Sequence, residues 1–103
     1  GAYQAAGRLH EAIPLFEQAL TDHTYILGPH HPDTLNTRNN LAGAYQAAGR
    51  LHEAIPLFEQ TLTDCTYFLG PHHPRTLSTR NHLANAYLAV GRSEEARKLF
   101  ETP

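Results

Sequence analysis

The sequence predicts an all-α protein, a solenoid of antiparallel helix pairs, on three observations. The first is an internal repeat. With Gly1–Ala42 aligned beneath Gly43–Ala84, only six pairs differ: Ala19/Thr61, His23/Cys65, Ile26/Phe68, Asp33/Arg75, Asn36/Ser78 and Asn40/His82. A third copy opens at Asn85-Ala-Tyr-Leu-Ala-Val-Gly-Arg. A fixed period of 42 residues marks an architecture in which each unit buries its apolar face on the next. The second observation is apolar spacing of three or four residues between the breaks, which is the helical period. The third is punctuation: Gly28-Pro29-His30-His31-Pro32 recurs as Gly70-Pro71-His72-His73-Pro74, and such clusters end helices.

The 103 residues therefore form one domain of about two and a half repeats: a partial unit over 1–27, a unit over 28–69 and a shortened unit over 70–103. With no initiator Met and a start inside a repeat, the chain reads as a piece of a longer array. Helices are expected near 9–27, 33–48, 51–69 and 75–90, with partial helices at each end.

In the full unit, Pro32 suits the first helical position, where a missing N–H costs nothing. Asp33 complements the positive end of the helix dipole. This first helix, helix A, runs to about Ala48 and stops at Gly49. Leu35, Arg38, Leu41, Ala42, Tyr45 and Ala48 make one mostly apolar stripe, the core side. Asn36, Asn39, Asn40, Gly43, Gln46 and Ala47 make another, small, amide-rich and uncharged. Helix B follows the short Gly49-Arg50-Leu51 link, so A and B form an antiparallel hairpin. Its core residues are Leu51, Ala54, Ile55, Phe58, Leu62, Cys65 and Leu69. Pro56, like Pro14, falls in the second turn, removing one backbone bond and adding a mild kink.

Composition narrows the function. Hydrophobic content of 41% with 17% charged residues is that of a globular chain. A formal charge of −2, without a basic stripe, argues against nucleic acid as a partner. No apolar run long enough for a membrane span is present, and no signal peptide is expected. Cys65 is the single cysteine and its repeat partner is His23, so no disulfide framework exists. It is expected to be an unreactive packing residue in a reducing, cytoplasmic setting.

The chemistry of catalysis is missing. Eight histidines invite a metal, but His30-His31 and His72-His73 are adjacent loop pairs, and sequence neighbours rarely converge on one ion. The second histidine of each pair is expected to be a loop or capping residue, the alternative being an adventitious ion between chains. His10-Glu11-Ala12-Ile13-Pro14 begins like a zinc-protease helix and has proline where the second histidine belongs. Neither a phosphate loop nor a nucleophile elbow appears. No enzyme activity, cofactor or metal is expected.

These residues resemble the tetratricopeptide repeat. Its spaced Leu, Gly/Ala, Tyr, Ala and Phe are met by Leu41, Ala42, Tyr45, Ala54 and Phe58, with Gly49 at the turn. Leu83, Ala84, Tyr87, Gly91, Ala96 and Phe100 repeat the pattern, while Arg38 and Arg80 replace the large aromatic that usually opens it. The usual unit has about 34 residues; here helix B and the Gly-Pro-His-His-Pro loop are longer. That longer form is similar to the repeats of kinesin light chains and of large multidomain bacterial signalling proteins. In those, a Leu-Gly-Pro-x-His-Pro loop leads into Asn-Asn-Leu-Ala, matched by Leu27 to Pro32 with Asn39 to Ala42. Leu69 to Pro74 matches again, but Asn81-His82-Leu83-Ala84 departs at the second Asn.

The resemblance implies a right-handed superhelix that binds protein or extended peptide, with A helices lining the concave surface. Carried over by position, the groove presents Asn36, Asn39, Asn40, Gly43 and Gln46, then Ser78, Asn81, His82, Asn85 and Leu88. An uncharged amide stripe opposite the core can indeed donate to and accept from a peptide backbone. The alternative is that these side chains bond helix to helix or face water. The expected function is a protein-binding scaffold within a larger multidomain protein. A second possibility is a self-assembly element associating through uncapped ends, and a third an enzyme using the His-rich loops with a metal.

Overall fold

The computed structural model describes residues 2–101, with side chains from Arg8 onward. Gly1, Thr102 and Pro103, the extremities of the first and third units, lie outside the described residues. Five helices follow in order: α1 Ala2–Leu27, α2 Pro32–Ala47, α3 Leu51–Phe68, α4 Pro74–Ala89 and α5 Ser93–Lys98. No strand occurs among the described residues. Thus α2 and α4 are A helices, α1 and α3 are B helices, and α5 begins a third B.

Each helix packs on the next in sequence, and α2 also touches α4. Hydrogen bonds give the directions. His23 of α1 meets Thr34 and Thr37 near the start of α2, whereas Glu17 meets Tyr45 near its end. Numbers fall on one helix as they rise on the other, so α1 and α2 are antiparallel. Between α2 and α4 the numbers rise together: Arg75 Nη1 donates to the Pro32 carbonyl at 3.4 Å, Thr79 Oγ1 to Asn39 Oδ1 at 3.3 Å, and Gln46 Nε2 to the His82 carbonyl at 3.3 Å. The A helices are parallel neighbours.

Pro32 and Pro74 open α2 and α4, and the preceding histidine caps each. His31 Nδ1 accepts from the Asp33 amide at 3.1 Å, and His73 Nδ1 from the Arg75 amide at 3.0 Å. An imidazole thereby does the N-cap work usually done by Ser, Thr, Asn or Asp. Helix α2 ends in a Schellman motif. The Arg50 amide donates to the Tyr45 carbonyl at 2.8 Å and the Gly49 amide to Gln46 at 3.0 Å. Gly49 sits at φ +79°, where a side chain would be strained.

The first unit departs from expectation. Residues 1–18 and 43–60 are identical, and a break was expected at Gly7-Arg8 as at Gly49-Arg50. Instead α1 runs unbroken from Ala2 to Leu27. In the second unit, α2 packs on α1 and on α3, and that burial holds the turn in place. At Gly7 the helix continues without a turn, and continuing it adds one backbone hydrogen bond per residue fixed. Pro14 and Pro56 are accommodated inside α1 and α3.

The core forms along the α1–α5 stack. Ile13, Leu41, Tyr45, Ile55, Phe58, Leu83 and Tyr87 are its larger members, closely spaced by Ala42, Ala54, Ala84, Ala86 and Ala96. Ala48, expected in the core stripe, is exposed because it caps α2 beyond the last packed turn. Arg38 is in the core as expected of its position, only 4% exposed. Its guanidinium donates to Asp64 Oδ2 at 2.7 Å and to the Pro29 carbonyl at 2.9 Å.

Candidate functional site

The parallel pair α2 and α4 places the amide stripe of one unit beside that of the next. Asn36 and Asn40 on α2, and Ser78, Asn81, His82 and Asn85 on α4, are all exposed. Among the described residues, Asn36, Asn40, Ser78, Asn81 and Asn85 make no side-chain hydrogen bond. Asn39 and Gln46 are half-buried and hold the helices together through the bonds to Thr79 and His82. The His82 ring lies 5.7 Å from the Phe58 ring, centroid to centroid. Two of the eight residues predicted from sequence are therefore ties between A helices, and the rest are open to solvent.

Besides Asn36/Ser78 and Asn40/His82, which lie on this face, the His23/Cys65 difference between units reaches it from the B helices. In the first, His23 Nδ1 lies 2.9 Å from Thr37 Oγ1. In the second, Cys65 replaces His23, and the corresponding hydroxyl of Thr79 turns to Asn39 instead. Cys65 is fully buried, and that burial pushes its thiol up from the ordinary range. It is therefore a poor nucleophile, in keeping with a packing role.

On the other side of the A helices, each neighbouring pair of units is joined by a repeated cluster. Tyr45 donates its hydroxyl to Glu17 Oε2, and Tyr87 donates to Glu59 Oε2 at 2.5 Å. Arg50 and Arg92 each stack over the tyrosine ring at 4.6 Å. Arg50 also forms a fork with Glu53, at 2.8 and 2.7 Å, as does Arg92 with Glu95, at 2.7 and 2.6 Å. Burial first, then the glutamate, pushes the Tyr45 hydroxyl up to about 12 and raises Tyr87 in the same direction. The cluster is a structural joint that sequence reasoning missed. Its signal was present, since Tyr45 and Glu17 recur in register as Tyr87 and Glu59.

The histidine-rich loops gather no ligand set. Among the described residues there is no group of three or more His, Cys, Asp or Glu able to hold a metal ion. His31 and His73 are caps. His30 stacks on Phe68 at 5.0 Å, with Nδ1 3.5 Å from Asp64 Oδ2. No helix of the described residues is long and apolar enough to cross a membrane. A cleft of about 370 Å³ lies between α1 and the end of α2, lined by Leu9, His10, Ile13, Ala47, Ala48 and Arg50. It is mostly apolar and includes Ala47 alone of the amide-rich stripe.

Comparison with known proteins agrees with this architecture. The sequence pattern described as "Tetratricopeptide repeat" matches residues 1–66 and again 39–102. Among solved structures, a protein from Podosopora anserina described as a kinesin light chain with nearly identical TPR-like repeats is 38% identical, with a TM-score of 0.86, over 96% of this chain and 47% of its own. A single-substitution variant of the same repeats gives 37% and 0.87 over the same shares. The chain thus spans about half the length of those structures. No curated protein matches. With matches that together run the length of the chain, and with its unit of 42 residues, the protein belongs to the tetratricopeptide repeat family, as an array of the kinesin-light-chain-like type.

Proposed function

We propose that this chain is a non-catalytic scaffold that holds an extended segment of a partner protein across α2 and α4, within a larger multidomain cytoplasmic protein. Repeats of this family generally mediate protein–protein interaction. The observation that carries the finer reading is the row of exposed, unbonded Asn36, Asn40, Ser78, Asn81 and Asn85 on adjacent parallel helices. Neutral amides both donate and accept, so they can match the alternating N–H and C=O groups of an extended backbone. Packed helices stand about 8–10 Å apart, close to three residues of extended chain at about 3.3 Å each. One peptide can thereby meet both stripes.

The test is selection of a binder from a library of random linear peptides, followed by alanine substitution. Asn81→Ala and Asn85→Ala should each weaken binding by roughly 0.5–1.5 kcal/mol and leave the melting temperature unchanged. Asn39→Ala should lower the melting temperature, because the buried Thr79 hydroxyl loses its acceptor. Equal affinity of parent, Asn81→Ala and Asn85→Ala would remove the amide face as the site.

A second reading, self-association, is supported by apolar side chains at the two ends of the array. Leu15 and Ile26 on α1 are 71% and 73% exposed, and Leu77 on α4 is 39% exposed.

A further inference from the structure

The six differences between the two 42-residue copies are not scattered. On the A helices they are Asp33/Arg75, Asn36/Ser78 and Asn40/His82, at i, i+3 and i+7, which is one stripe of a helix. On the B helices they are Ala19/Thr61, His23/Cys65 and Ile26/Phe68, at i, i+4 and i+7, again one stripe. The two stripes meet. His23 Nδ1 touches Thr37, next to Asn36 in the chain, and the charge of Arg75 acts on the Cys65 thiol. The units therefore differ along the side that carries the amide face, and agree where each must fit the next.

The A-helix stripe is open whichever neighbour stands beside it. Asn36 and Asn40 are exposed with α4 alongside, and Ser78 and His82 are exposed with α2 alongside. Its two formal charges lie at one end, Asp33 on α2 and Arg75 on α4; the other arginines of these helices, Arg38 and Arg80, belong to the core stripe. Asp33 is exposed, and its carboxylate makes no hydrogen bond or ion pair among the described residues. Arg75 meets no carboxylate there, and its guanidinium reaches the Pro32 carbonyl at 3.4 Å. The dipole of a helix start favours Asp33 and opposes Arg75. The fold thus accounts for the aspartate and not for the arginine.

We propose that the segment held across α2 and α4 carries one charge of each sign, a basic side chain against Asp33 and an acidic one against Arg75. The pairing rests on the peptide-holding role of the amide face and adds the chemistry of the partner. Packed helices about 8–10 Å apart set the two charges about three residues apart on an extended chain. Asn36 and Ser78 follow one turn further on each helix, so charge contacts and backbone contacts come from the same stripe.

Amides bond any backbone alike, so charge order is what tells one segment from another. A segment with the opposite order sets like charges together at both helices. Exposed pairs of this kind add little affinity and more selectivity. Exchanging the two charges leaves the fold intact, because Asp33→Arg and Arg75→Asp each introduce the residue that the twin helix already carries.

The probe is a linear peptide selected on the parent chain from a random library, together with a second peptide in which its basic and acidic residues are exchanged. Calorimetry measures both against the parent, Asp33→Arg, Arg75→Asp and the double variant. The selected peptide should carry a Lys or Arg and an Asp or Glu about three residues apart. Each single variant should bind it roughly two- to tenfold more weakly. The double variant should prefer the exchanged peptide by a similar factor, and salt near about 1 M should flatten every preference. Selected peptides without such a pair, or a double variant that keeps the parent's preference, would overturn the charge reading. The amide face would then still stand if Asn81→Ala and Asn85→Ala weaken those peptides. A library yielding no peptide that these two substitutions weaken would remove both.

Discussion

Arg38 stands where a purely apolar stripe would place a large hydrophobic side chain. A buried guanidinium is tolerable only when its charge and donors are matched, and Asp64 with the Pro29 carbonyl supplies the match. Asp64→Asn leaves the arginine buried without a counter-charge, and should cost about 3–5 kcal/mol in chemical denaturation. Asp22→Asn, at the equivalent but exposed position, should change stability by less than about 0.5 kcal/mol. A similar loss from both would show that the pair does not carry the difference. The alkaline side tests Tyr45. An acid whose pKa folding raises contributes fully below its unfolded value, and loses that contribution as pH rises to the folded value. For Tyr45 the window runs from the ordinary 10 to about 12. Stability should therefore fall between pH 10 and 12, and Tyr45→Phe should fall less steeply, with the slope that remains belonging to Tyr87. Equal slopes would mean that Tyr45 is not held neutral by the fold. Neither contact was read from sequence, because each joins residues far apart in the chain, 26 for the arginine pair and 28 for the tyrosine pairs. Spacing along one helix reveals faces, and the partners across helices come only with the packing.

At the scale of elements, α2, α3 and α4 follow from local rules: proline at the first position of α2 and α4, glycine just past the end of all three, and an apolar residue every third or fourth place. Helix α1 does not, since residues 1–18 repeat 43–60 without change yet lack the turn at Gly7. Local sequence offers a hairpin or a straight helix at this point, and neighbours choose. Glycine serves the two outcomes differently. Gly49→Ala forces a side chain into φ +79° and should destabilise by about 1–2 kcal/mol. Gly7→Ala replaces a mid-helix glycine and should raise helicity, with a gain of up to about 1 kcal/mol. Thermal melts of the two variants should move in opposite directions. Shifts of the same sign would show that Gly7 and Gly49 share one conformation.

For the whole molecule, the repeat of 42 residues was enough to give the class of fold, because a solenoid is one unit and one interface used again. The face available to a partner was legible only in part. Sequence placed all eight polar residues on A helices, but not the tie between Asn39 and Thr79 or the bond from Gln46 to His82. Those depend on how far apart α2 and α4 settle. The most direct measurement is a footprint by nuclear magnetic resonance. An isotopically labelled chain is titrated with a linear peptide selected from a random library, and the amide shifts are mapped. The account predicts changes concentrated at Asn36, Asn40, Ser78, Asn81, His82 and Asn85, with the outward faces of α1 and α3 silent. Changes concentrated at Leu15, Thr63, Thr66 and Tyr67, with α2 and α4 silent, would contradict it.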